Sequence, residues 1–170
     1  AAIRAKLAFS ALDGAHLLPP MPLALAAGLG GVEARLQVAC GLSRNGNGIT
    51  LSHELAGGDL AARLKARRTP ATLAVVFPFS SHNYLLRRWL LAQGVDPERD
   101  VRLTAVPPPR MAARLAAGEI DGFCVGAPWG AAAEAMGAGQ VVAGTAEIWP
   151  NHLEKLLAFS TEYLATHREQ

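Results

Sequence analysis

Thr72-Leu73-Ala74-Val75-Val76-Phe77-Pro78-Phe79-Ser80-Ser81-His82-Asn83-Tyr84-Leu85-Leu86-Arg87-Arg88-Trp89-Leu90 is the stretch whose reading decides the fold. Leu73 to Phe77 is continuously apolar and bounded by Pro78, as expected of a strand covered on both faces. A helix follows directly, with Leu85, Leu86, Trp89 and Leu90 as its apolar stripe, Arg87 and Arg88 facing outward, and Gln93-Gly94 as its stop. Downstream, Val101 to Val106 alternates as a strand, and Pro107-Pro108-Pro109 leads into a helix carrying Met111 and Leu115. Gly122 to Gly126 then reads as a strand, Trp129 to Met136 as a helix and Gln140 to Ala143 as a strand. Strands alternating with helices predict an α/β fold with a largely parallel sheet, and such sheets bind ligands at the carboxyl ends of their strands.

Upstream, Ile3, Leu7 and Phe9 with Arg4 and Lys6 between them predict the last turns of a helix, followed by a turn at Asp13-Gly14. Ala15 to Leu18 reads as a strand, Met21 to Leu29 as a helix ended by Gly30-Gly31, and Arg35 to Leu42 as a strand. Asn45-Gly46-Asn47-Gly48 is a turn-former feeding a strand from Ile49 to Ser52, because Asn and Gly tolerate positive φ. Asp59 can cap a helix bearing Leu60 and Leu64. Its cations, Arg63, Lys65, Arg67 and Arg68, read as a solvated helix face rather than a phosphate patch. At the C-terminus, Leu156 to Phe159 is a short apolar run ahead of a polar helix holding Tyr163 and Leu164.

The 170 residues are 51% hydrophobic and 18% charged, enough to bury a core and to exclude disorder. Sixteen basic residues against 14 acidic leave a formal charge of +2, too balanced for a nucleic-acid partner, whereas a small anion remains compatible. The longest uncharged stretch, Gly14 to Val32, is broken by Pro19, Pro20, Pro22 and several glycines, so no transmembrane segment is read. Cys40 and Cys124 form no CxxC pair and read as small buried hydrophobes. Ala1-Ala2-Ile3-Arg4 carries neither an initiator Met nor the regions of a secretory signal, so the chain reads as beginning mid-domain.

Catalytic constellations are missing: no GxSxG elbow, no GxxxxGKS/T phosphate loop and no HExxH. His16, His53, His82, His152 and His167 lack metal-ligand spacing, so neither a metal nor another cofactor is expected, and an enzyme acting on a small organic compound is an alternative that no nucleophile or base in the sequence supports. The informative feature is Phe77 to Tyr84, which runs from a buried strand into a helix start. Helix N-termini present unpaired N–H groups and a partial positive charge, to which Ser80, Ser81 and His82 add donors suited to a small oxyanion. Ordinary N-capping by Ser80 or Ser81 explains the same serines. A second strand end, Gly126-Ala127-Pro128-Trp129, places an indole where it can wall a pocket or simply pack. The amides of the Asn45 to Thr50 turn can donate to an anion or serve the turn alone.

Several words of the sequence together resemble the nitrate- and bicarbonate-binding proteins of ABC transporters. They are Ala15-His16-Leu17-Leu18-Pro19-Pro20-Met21-Pro22-Leu23, Asn45-Gly46-Asn47-Gly48-Ile49-Thr50, Phe79 to Tyr84, Val106-Pro107-Pro108-Pro109-Arg110-Met111 and Asp121 to Trp129. Glu147-Ile148-Trp149-Pro150-Asn151-His152 through Lys155 extends the likeness, which spans nearly the whole chain in order and reaches cytoplasmic nitrate and nitrite sensors. The resemblance implies a type II periplasmic-binding fold of two α/β lobes with mostly parallel sheets. Residues 1–68 would form part of lobe one, 69–148 lobe two, and 149–170 a return to lobe one, with the N-terminal part of lobe one lying upstream. It also implies a small-anion ligand, nitrate or nitrite, contacted by Asn47 and His82, and a partner that is either a membrane permease or a regulatory protein. The compartment would follow the partner, periplasmic for a transport receptor and cytoplasmic for a sensor. Ala127 stands where transport receptors often carry an acidic residue, and Pro150 where some nitrate receptors carry a lysine. The expected ligand-binding residues are therefore Asn47, Ser80, Ser81, His82, Gly126 and Trp129.

Overall fold

The computed structural model describes residues 6, 7 and 11–167. In chain order the elements are β1 (Gly14–Leu17), α1 (Pro20–Ala26), β2 (Leu36–Arg44), β3 (Asn47–Leu51), α2 (Leu60–Ala66), β4 (Ala71–Val75), α3 (Ser81–Ala92) and β5 (Val101–Ala105). There follow α4 (Pro108–Ala116), β6 (Gly122–Gly126), α5 (Trp129–Ala135), β7 (Gln140–Gly144), α6 (Thr145–Ile148), β8 (Leu153–Ser160) and α7 (Thr161–Thr166). The chain divides into two compact units, residues 1–44 with 152–170, and residues 45–151. At each passage between them stands an asparagine in the left-handed region, Asn45 (φ 55°) and Asn151 (φ 59°), a conformation Asn tolerates better than most residues.

Unit 1 is a three-stranded sheet in the order β1-β8-β2, antiparallel throughout. Leu17, Leu18, Met21, Leu156 and Ala158 form its core. Helix α1 begins on Pro20, whose fixed φ suits a first turn, and ends at Ala26 rather than at the expected Leu29, because Gly28 (φ 65°) turns the chain left-handed just beyond the C-cap. Of the helix expected around Ile3 to Phe9, Lys6 and Leu7 are helical and the remainder lies outside the described residues.

Unit 2 is a five-stranded sheet in the order β5-β4-β6-β3-β7. Strand β4 runs parallel to β5 and β6, while β3 is antiparallel to both β6 and β7, so four strands share one direction and β3 opposes them. Side chains alternate across the sheet. Leu73, Val75, Cys124, Ile49 and Leu51 meet Leu86 and Leu90 of α3 on one face. Ala74, Phe123 and Val125 meet Met111 and Leu115 of α4 and Ala133 of α5 on the other. Burying a leucine such as Leu86 or Leu90 completely contributes about 1.5–3 kcal/mol.

Two expectations change. The division between units falls at 44/45 and 151/152 instead of 68/69 and 148/149, because β3 pairs between β6 and β7 and so belongs to the larger sheet. The cationic helix α2 is not wholly a solvated face. Arg67 reaches Asp121 (Nη2 to Oδ1, 2.9 Å) and Glu54 (Nη1 to Oε1, 2.6 Å), and Asp121 Oδ2 accepts the Thr72 N–H at 2.7 Å, tying α2 to the amino ends of β4 and β6.

Candidate functional site

Strands β4 and β6 are parallel neighbours, yet the helices that follow them lie on opposite faces of the sheet: α3 after β4, α5 after β6. The chain therefore diverges on leaving these two strand ends, which makes the crevice where open α/β sheets take ligands. Because β3 runs antiparallel, its first residue, Asn47, sits at this same end, directly opposite Gly126, the last residue of β6. The two segments that the sequence singles out, at Phe79 to Asn83 and at Gly126 to Trp129, thus stand side by side with Asn47, all within unit 2.

The approach to α3 is held rigidly. Ser80 Oγ accepts the Asn83 N–H (3.3 Å) and donates its proton to the Phe77 carbonyl (2.6 Å). Asn83 Nδ2 donates to the Pro78 carbonyl (2.7 Å), and Asn83 Oδ1 accepts from Arg87 Nε (3.1 Å). Ser80 is consequently the N-cap, and its hydroxyl proton goes to the Phe77 carbonyl.

Ser81 differs from its neighbour. It is 7% exposed, and its Oγ is buried without a hydrogen-bond partner among the described residues. A buried hydroxyl left unpaired costs about 1–3 kcal/mol, so such groups are rare in folded proteins. His82, 3% exposed, follows it in the first turn, where the backbone N–H groups of a helix lack intrahelical acceptors.

Asn47 is 5% exposed and by the strand period points to the same sheet face as Ile49 and Leu51, the face covered by α3. Gly126 shares that face: a Cβ at this glycine would stand 3.3 Å from Asn47 Oδ1, so any side chain there would press on the amide. Trp129 is different. It is partly buried and packs against the cluster of the opposite face, as Val76 and Ala132 do. Asn47 and Gly126 thus face each other at the sheet end from which the chain leads into Ser81 and His82, Ser80 caps α3, and Trp129 packs on the opposite face.

One residue of this group had no sequence signal. Thr145, fully buried at the start of α6, donates its hydroxyl to the Asn47 carbonyl at 3.1 Å across 98 positions of sequence. Only the pairing of β3 with β7 reveals it.

The model of the NMT1-like family matches residues 1–170. The chain is 44% identical over 168 residues to a nitrate import ATP-binding protein, NrtC, of Synechocystis sp., an alignment covering 92% of this chain and 25% of that protein. It is 35% identical over 165 residues to the nitrate/nitrite binding protein NrtA of Synechococcus elongatus, covering 89% of this chain and 37% of that one. Among solved structures, the periplasmic nitrate-binding protein NrtA of Synechocystis PCC 6803 superposes with a TM-score of 0.87 at 32% identity, covering 97% of this chain and 46% of that chain. The chain thus spans between a quarter and a half of the length of these relatives.

Proposed function

We propose, because this chain belongs to the NMT1-like family, that its unit 2 binds a small monovalent oxyanion, nitrate or nitrite, as part of the substrate-binding receptor of an ABC transporter. The observation that carries this reading is the buried, unpartnered hydroxyl of Ser81 in the first turn of α3, at the same sheet end as the Asn47 amide. A bound oxyanion supplies the acceptor that this hydroxyl lacks, and the first-turn N–H groups of a 12-residue helix add donors and a partial positive charge. Binding by neutral donors needs no metal and no covalent step. The ligand names borne by NrtC and NrtA support nitrate or nitrite as the anion.

Calorimetric titration of the intact protein with nitrate, nitrite, bicarbonate and sulfate tests the reading. Saturable binding of nitrate or nitrite, lost in the His82→Ala, Asn47→Ala double variant, is the expected result. Silence toward both anions, or affinity untouched by the double substitution, sinks it.

A further inference from the structure

We infer that Thr145 is a positioning residue for the anion site, acting through Asn47; this rests on the reading of unit 2 as a nitrate or nitrite binder. The ladder between β3 and β7 ends at the pair Gly48 and Gly144. Asn47 lies one position beyond it, opposite Gly126 of β6; the adjacent bond from the Ala127 N–H to the Gly46 carbonyl makes Asn47 and Gly126 a facing pair without ladder bonds, so the Asn47 carbonyl turns toward the β7 side. Immediately before Asn47, Gly46 takes a positive φ (86°) that a residue with a side chain would resist.

Thr145 bonds to that carbonyl. Where β7 turns away into α6, its hydroxyl continues the ladder by one further bond, donated from Oγ1 to the Asn47 carbonyl at 3.1 Å. The donor is itself fixed: Thr145 is fully buried, and Glu147 Oε1 accepts the Gly144 N–H at 3.0 Å, clamping the first turn of α6. On its other flank the Asn47 side chain abuts the bare face of Gly126. Thr145 touches no ligand in this scheme. It sets where the Asn47 amide stands, and a mis-set amide weakens every bond that depends on its direction.

The test compares nitrate and nitrite affinity, by calorimetry on the intact protein, for wild type, Thr145→Val and Thr145→Ser. Valine keeps the shape and removes the hydroxyl, and serine keeps the hydroxyl and removes a methyl group. The expected result is a loss of about tenfold for valine and less than about twofold for serine, the size of one hydrogen bond felt indirectly. Equal affinity in the valine variant overturns the inference, and so does an equal loss in both variants, which would mean that packing alone matters. If the valine variant does not fold, Thr145→Ala takes its place with the same expectation. A wild-type protein that binds neither anion overturns the functional reading itself, a result distinct from either of these.

Discussion

Replacing Ser81 by alanine produces two effects of opposite sign, and the structure gives their sizes. Ser81 Oγ is buried without a partner among the described residues, and the capping of α3 is done by Ser80, so the substitution removes a desolvated hydroxyl and leaves the helix start intact. Relief of an unpaired hydroxyl is worth about 1–2 kcal/mol, and about 2–4 °C of melting temperature accompanies each kcal/mol in a chain of this length, so the unliganded variant should melt about 2–8 °C higher. In the complex the same hydroxyl donates to an anion, a charge-assisted bond of about 1.5–3 kcal/mol, so nitrate or nitrite affinity should fall about 10- to 150-fold. Differential scanning calorimetry without ligand and isothermal titration with each anion read the two effects separately. A variant that melts lower than wild type and binds equally well refutes the reasoning, since Ser81 would then be paired in the protein and idle toward the ligand.

Three further substitutions separate structure from site. Ser80→Ala loses the cap on Asn83 and the bond to the Phe77 carbonyl, and should lower stability by about 1–2 kcal/mol in denaturant unfolding, opposite in sign to Ser81→Ala. Arg67→Met breaks the tie to Asp121 at the amino ends of β4 and β6, the far end of the sheet from Asn47; stability should fall by about 1–2 kcal/mol while anion affinity stays within about twofold. Gly139→Ala would place a Cβ 2.3 Å from the Leu51 carbonyl and 2.8 Å from Leu115 Cδ2, a backbone clash that should cost about 3 kcal/mol or more, seen as a lower denaturant midpoint.

The parallel core of unit 2 was legible because its signals are local. The apolar run before Pro78, the stripe of Leu85, Leu86, Trp89 and Leu90, and Gln93-Gly94 as a stop all correspond to what β4 and α3 are, although β4 begins at Ala71 and ends at Val75, two residues before Phe77. The site was half legible. Local chemistry marked Ser80 to Asn83, yet which serine caps and which stays unpaired depends on the Phe77 carbonyl and on burial, neither of which a sequence displays. Asn47 read as part of a turn because Asn-Gly-Asn-Gly is a turn-former, whereas it opens β3, a strand that enters between β6 and β7 from the opposite direction. That one non-sequential insertion moves the boundary between units from the expected 68/69 to 44/45, and no local pattern announces the bond from Thr145 to Asn47 that it brings about. Trp129 packs against the cluster on the side of the sheet where α5 lies, one of the two roles its residue type allows.

Unit 2 is one uninterrupted stretch, from Asn45 to Asn151, set within a unit 1 that comes in two pieces. The central strand of the smaller sheet, β8, belongs to the second piece, and both β1 and β2 pair with it and not with each other. During synthesis from the N-terminus, residues 45–151 therefore emerge whole, with the strands of their sheet and both of their cores, before β8 is available to pair with β1 and β2. The ribosome finishes the larger unit before it delivers the strand that joins β1 to β2.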